Sequence, residues 1–187
     1  MVLEREKLYT LEEFRVIATW LENEEKRLEW EDGVIVDMGS SSRLNTVTGI
    51  RIVHFVTNHV IPNDLGFVTG ADGGFFLKAV GRVRRPDVAF IAKHHRVELV
   101  GVEFDIAPDL AIEIASPDED VFKKVKEYIR SGTRMVWVVY ADEKVVDVFT
   151  PAQESEFRVQ ELTVADTLDG GDILPGFTLP VRDIFPA

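Results

Sequence analysis

The chain contains no cysteine. Disulfides, thiolate zinc centres and cysteine nucleophiles are therefore excluded. No apolar run approaches the roughly 18 residues needed to cross a bilayer. The opening MVLEREKLYT is charged where a secretory signal would be apolar, so a soluble cytoplasmic protein is expected. Positive charge is scarce: 21 Lys and Arg stand against 33 Asp and Glu, a formal charge of −12. That balance counts against a protein that coats nucleic acid through a broad basic surface. It leaves room for a local phosphodiester site, because carboxylates that hold a divalent cation are part of the acidic total. Also missing are GxSxG, a phosphate-binding GxxxxGK[ST] loop, a GxGxxG between strand and helix, repeats and low-complexity linkers. What remains is a globular balance of 45% hydrophobic and 29% charged residues, which fits one domain spanning residues 1–187.

Local signals divide the chain into elements. Thr10 and Glu13 have capping-box spacing, Tyr9 and Phe14 the spacing of a hydrophobic staple, and Leu11, Phe14, Ile17, Ala18 and Leu21 follow at helical period. Asp32-Gly33 between two β-rich runs predicts a hairpin over residues 27–38, because a type I′ turn needs positive φ at both central positions. On its first strand Leu28 and Trp30 share one face, and Arg27, Glu29 and Glu31 the other. A helix is predicted over about 43–60. Its apolar residues run almost all round, which points to cover on both sides and to a homodimer. Strands are expected at Phe67-Val68, Phe75 to Val80 and Asp87 to Ile91, with the basic stretch Arg82, Arg84, Arg85 between the last two.

Leu110 to Ala115 is a short apolar run typical of a strand buried on both faces. Ser116, Pro117 and Glu119 predict a helix start with a second capping box, and Gly132 its end. Met135 to Tyr140 is a further buried strand, completing a βαβ crossover. Lys144 to Phe149 and Phe157 to Thr163 are expected to extend the sheet antiparallel.

The histidines offer little. His54 and His59 are not spaced to share a helix face, and His94-His95 falls in a basic, loop-like stretch, so none is expected to ligate a metal. Phe75-Phe76 and the tryptophans read as core and hairpin packing rather than a base-stacking platform. Arg84 and Arg85, at the end of the basic run, are the candidate phosphate contacts.

One constellation carries chemistry. Pro86-Asp87 opens the apolar strand DVAFIA, and Glu113 lies inside the buried strand LAIEIA. A carboxylate there is costly unless it is paired or binds a cation. Two such acids converging would suit Mg²⁺ or Mn²⁺. At about 100° per residue, the following helix turns Val121, Phe122, Val125, Tyr128 and Ile129 to one side. Lys123 falls opposite, beside Glu127 and Arg130, and is expected in solvent. Lys124 and Lys126 lie on the two borders, and helix geometry alone does not choose between them.

These segments resemble the PD-(D/E)XK restriction-endonuclease-like superfamily, and within it the Uma-type branch of bacterial proteins. LEWEDGVIVDM is similar to that branch's early hairpin, RRPDVAFI to its PD strand, and DLAIEIASP to the strand carrying its second acid. KVKEYIRSGTRMVWVV and LPGFTLPVRDIF are similar to its helix, next strand and tail. The resemblance implies an α/β restriction-endonuclease-like fold, a central mixed β-sheet flanked by helices. It implies Asp87 and Glu113 as metal-binding acids. The usual lysine two residues after the second acid is replaced by Ala115, and the branch's migrated lysine, four before a tyrosine, corresponds to Lys124. Glu29 matches the hairpin acid, which the resemblance implies as a further catalytic residue approaching the metal, and Asn45 stands near where many relatives carry histidine. The implied activity is Mg²⁺-dependent endonucleolytic hydrolysis of DNA, with Lys124 assisting the attacking water. The competing reading is a catalytically silent module used for binding or assembly, with Glu113 and Lys124 as a plain buried ion pair.

Overall fold

The computed structural model describes residues 7–23, 25–117, 119–153 and 156–186. Residues 1–6, on which part of the reading of the N-terminus rests, lie outside that set. Helix α1 spans Leu11–Ala18 and starts as its sequence dictates: the Thr10 side chain accepts from the Glu13 N–H, and the Glu13 side chain accepts from the Thr10 N–H. Strands β1 (Leu28–Glu31) and β2 (Val34–Asp37) form the hairpin, with Asp32 and Gly33 at φ 50° and 89°. Helix α2 covers Arg43–Val60. Strands β3 (Gly66–Gly70), β4 (Gly74–Leu77), β5 (Arg82–Arg84), β6 (Val88–Ala92), β7 (Glu103–Phe104) and β8 (Leu110–Ile114) follow. Helix α3 (Val121–Arg130) then leads to β9 (Met135–Tyr140), β10 (Val145–Pro151), β11 (Phe157–Leu162), β12 (Thr167–Asp169) and β13 (Thr178–Pro180).

The central sheet has the order β11-β10-β9-β8-β6-β3, antiparallel except for the parallel pair β8–β9 that α3 connects. A second sheet, β2-β1-β5-β4-β7, carries the hairpin. Strand alternation sorts the core into layers. Val88, Phe90, Leu110, Ile112, Ile114, Trp137 and Val139 face α2 and the C-terminal segment, meeting Ile52, Val56, Leu174 and Phe177. Ala89, Ile91, Ala111, Val136 and Val138 face the other way, onto Val125 and Tyr128 of α3 and Phe75 and Leu77 of β4. A third cluster joins Phe14 of α1 to Leu28 and Val83 under the second sheet. The outward side of α2 leaves Val47 and Ile50 exposed. No helix among the described residues is long and apolar enough to cross a membrane.

Four expectations need correction. Helix α3 begins at Val121, with Asp120 as its N-cap accepting from the Lys123 N–H, and not at Pro117. The Glu119 N–H donates to the Ser116 carbonyl in a turn, and its carboxylate pairs with Lys124 instead of closing a capping box. The basic stretch is strand β5, with Val83 in the core, and the strand predicted from Phe75 to Val80 ends at Leu77. Lys123 is paired with Glu31 rather than left to solvent alone, because the second sheet lies over that face of α3.

Candidate active site

The pleat turns Asp87 and Glu113 toward the same side of the central sheet. Val88 pairs with Ile112 and Ala89 with Ala111; one step further along this register sets Asp87 across from Glu113. Asp87 is held from two directions. One carboxylate oxygen accepts from the Ile114 N–H at 2.8 Å and the other from Arg27 at 3.1 Å. Glu113 is buried, and its Oε1 accepts a 2.7 Å hydrogen bond from the Tyr128 hydroxyl. The Lys124 ammonium lies 3.5 Å from Glu113 Oε2 and 3.3 Å from Glu29 Oε1, with Glu119 as its third carboxylate neighbour. Lys126 instead sits over the Phe122 ring. Of the two border lysines, Lys124 is the one beside Glu113.

Burial raises the Glu113 carboxyl; Lys124 opposes the rise, and the charges of Asp87, Glu119 and Glu29 add to it, leaving the group at about 8. Burial alone would lower the Lys124 ammonium, yet Glu113, Glu29 and Glu119 outweigh it and hold the group above its ordinary value. Burial and the neighbouring Glu113 push the Tyr128 hydroxyl well up, so it remains a donor.

The wall behind this pair is a network of charges between α3 and the second sheet. Strand β1 sends Leu28 into the apolar layer and Glu29 and Glu31 toward α3. Arg84 is buried, and its three guanidinium nitrogens donate to Glu127 at 2.7 Å, Glu29 at 2.8 Å and Glu31 at 2.8 Å. The expected phosphate contact through Arg84 is therefore not what its position offers: alternation in β5 turns it inward, where three carboxylates take its donors. Arg85 is half-buried and directs its guanidinium to the carbonyls of Leu28 and Asp72. Its backbone N–H donates to Glu29 Oε1 at 2.9 Å. Glu29 thus braces Arg84 and Lys124 together. Burial acts to raise Glu31, but hydrogen bonds from Lys123 and Arg84 reverse this and bring it to about 2.

Two openings reach the cluster. A cleft of about 450 Å³ is lined by Glu29, Glu31, Asp37, Glu119 and Asp120 against Arg84, Lys123 and Lys124. A smaller cavity of about 140 Å³ reaches Asp87 and Ile114 from the α2 side, past Asn45. The Asn45 amide lies 3.4 Å from the Ala115 carbonyl and the Ser116 hydroxyl. The sequence places Glu127 on the face opposite the apolar side, beside Lys123, and Tyr128 on the apolar side, without assigning either a contact to the acids. The (i, i+4) relation of Lys123 to Glu127 and the Arg-Val-Arg alternation of β5 were the available signals.

A mixed sheet flanked by helices, with its one parallel pair joined by a crossover helix, defines a mixed α/β class. The chain belongs to the Uma2 family, whose model, described as "Putative restriction endonuclease", matches residues 11–182. A crystal structure described as a "putative nuclease belonging to DUF820" from Anabaena variabilis ATCC 29413 superimposes with a TM-score of 0.75 at 25% identity, covering 94% of this chain and 97% of that one. No curated protein matches the chain.

Proposed function

We propose that the protein is a divalent-metal-dependent endonuclease that hydrolyses DNA phosphodiester bonds at the Asp87–Glu113–Lys124 cluster. The observation that carries this reading is the facing of two acids across β6 and β8 with the Lys124 ammonium 3.5 Å from Glu113. The donor set fits a hard dication. Asp87 and Glu113 repel one another, and Glu113 keeps a proton to about 8, a positive charge that a dication would replace. Asp87 and Glu113 would hold Mg²⁺ or Mn²⁺, which when bound supplies Lewis acidity toward a phosphoryl oxygen and toward water.

The chain's own residues do the positioning. The Ile114 N–H and Arg27 fix the Asp87 carboxylate. The Tyr128 hydroxyl fixes Glu113. Lys124, kept cationic by its carboxylate neighbours, orients the attacking water or offsets charge gathering on the phosphoryl oxygens. Glu29 is a positioning residue, since both its oxygens are taken by Arg84, the Arg85 N–H and Lys124. In the cleft, five acidic residues face three basic ones, so a phosphodiester would be repelled until a cation is present. Exposed Val47 and Ile50 on α2 are where a second copy would pack in a homodimer.

A catalytically silent module is the second reading, favoured by the number of charges already paired within the network. Plasmid cleavage with Mg²⁺ and with Mn²⁺ separates the two. Activity in the wild type that is lost in Asp87→Ala, Glu113→Gln and Lys124→Ala, with each variant folded by circular dichroism, supports the enzyme. No cleavage by the wild type under either metal, or full activity in all three variants, overturns it.

A further inference from the structure

We infer that His94, His95 and Asp109 form a second metal site, one for a borderline transition-metal dication of the Zn²⁺ class. Each offers one ligand atom, and the three atoms lie within 4.8 Å of one another; among the described residues no other trio of His, Cys, Asp or Glu meets that spacing. The local backbone gathers them. A single 3₁₀ turn, Lys93–His95, follows β6 and stops at Arg96, whose φ of 52° turns the chain away. The two imidazoles stand with ring centroids 4.1 Å apart. Asp109 immediately precedes β8, and its buried carboxylate is already aimed: Oδ2 accepts from the Ala92 N–H at 2.7 Å and lies 3.1 Å from His95 Nε2.

That 3.1 Å spacing is close to the edge of a zinc-centred tetrahedron, about 3.3 Å for ligands at the usual bond lengths. Two imidazoles and one carboxylate favour zinc-class ions over Mg²⁺, which prefers an all-oxygen octahedron. Three protein ligands leave one position for a further ligand, and the three residues line a cavity of about 450 Å³ together with Lys78, Asp105 and Arg134. Asp105 is held by Arg15, and Lys78 and Arg134 favour hydroxide or a carboxylate as the fourth ligand. The site stands apart from the acidic cluster. Asp109, just before β8, and Glu113, near its far end, are four residues and about 13 Å apart at the strand rise. Bound there, an ion fastens the end of β6 to the beginning of β8, the two strands that position Asp87 and Glu113.

The test uses tag-free protein, Zn²⁺ titration calorimetry and Co²⁺ absorption. Asp87→Ala, which lacks the other proposed cation site, is expected to bind one Zn²⁺ per chain and to give visible Co²⁺ bands; the wild type is expected to bind at least that one. Made in the Asp87→Ala protein, His94→Ala and His95→Ala, both exposed positions that do not endanger folding, are expected to weaken binding at least about tenfold and to abolish those bands. Absence of stoichiometric binding in Asp87→Ala overturns the proposal. So does binding to Asp87→Ala that survives both histidine substitutions.

Discussion

Replacing Glu113 by glutamine removes one titration that links the stability of this fold to pH. The folded Glu113 carboxyl sits at about 8 against an ordinary value of 4.5. Between those values the folded chain keeps a proton that the unfolded chain releases. The stability tied to this group is therefore complete below about 4.5 and is lost as pH rises through about 8. The slope approaches 1.4 kcal/mol per pH unit, so the window amounts to something on the order of 5 kcal/mol. Glu31, drawn down to about 2, acts with the opposite sign and in a separate window, below 4.5. In Glu113→Gln the new amide would keep an oxygen for the Tyr128 hydroxyl and carry no charge. Urea denaturation in metal-free buffer from pH 5 to 9, followed through the buried Trp137, should show wild-type stability falling by a few kcal/mol relative to Glu113→Gln. Mn²⁺ added at pH 8 should restore the wild type and leave the variant unmoved. Parallel curves for the two proteins between pH 5 and 8 would refute the reasoning.

Other outcomes follow from the same contacts. Arg84→Met strips Glu29, Glu31 and Glu127 of a shared partner and should cost about 3–5 kcal/mol in urea denaturation at pH 7. Gly66→Ala should be among the most damaging small changes, at least about 3 kcal/mol by thermal or urea unfolding, because at φ 151° its Cβ would run into the Ile91 carbonyl oxygen. Thr10→Ala removes the α1 capping box and should cost about 1 kcal/mol, measurable as a shifted urea midpoint with cleavage activity unchanged.

The elements that could be read from sequence were those written in local chemistry. The capping box of α1, the positive-φ pair Asp32-Gly33 and the β8–α3–β9 crossover each rest on residues close in the chain. The start of α3 departs from the Ser116–Glu119 spacing because Asp120 caps it, accepting from the Lys123 N–H, while the Glu119 carboxylate lies on Lys124 five residues further on. Strand β5 reads from sequence only as a basic stretch between strands because Arg82 and Arg84 have their counter-charges far away in the chain, on Glu127, Glu29 and Glu31. The helical wheel gave the face on which Lys123 and Glu127 lie but could not say that a second sheet covers it. Lys124, by contrast, was found where its border position and the tyrosine spacing place it, next to Glu113. His94, His95 and Asp109 were missed together, since the trio forms only when β6 and β8 pair and bring the turn after one strand beside the start of the other.

The central claim is that Asp87 and Glu113 share one hard cation. Anomalous diffraction from crystals soaked in Mn²⁺ at pH 8 tests it most directly. The account predicts a single strong peak between the two carboxylates, present in the wild type and missing in Asp87→Ala. A wild-type crystal with no peak there, or a peak that persists after Asp87→Ala, would contradict it.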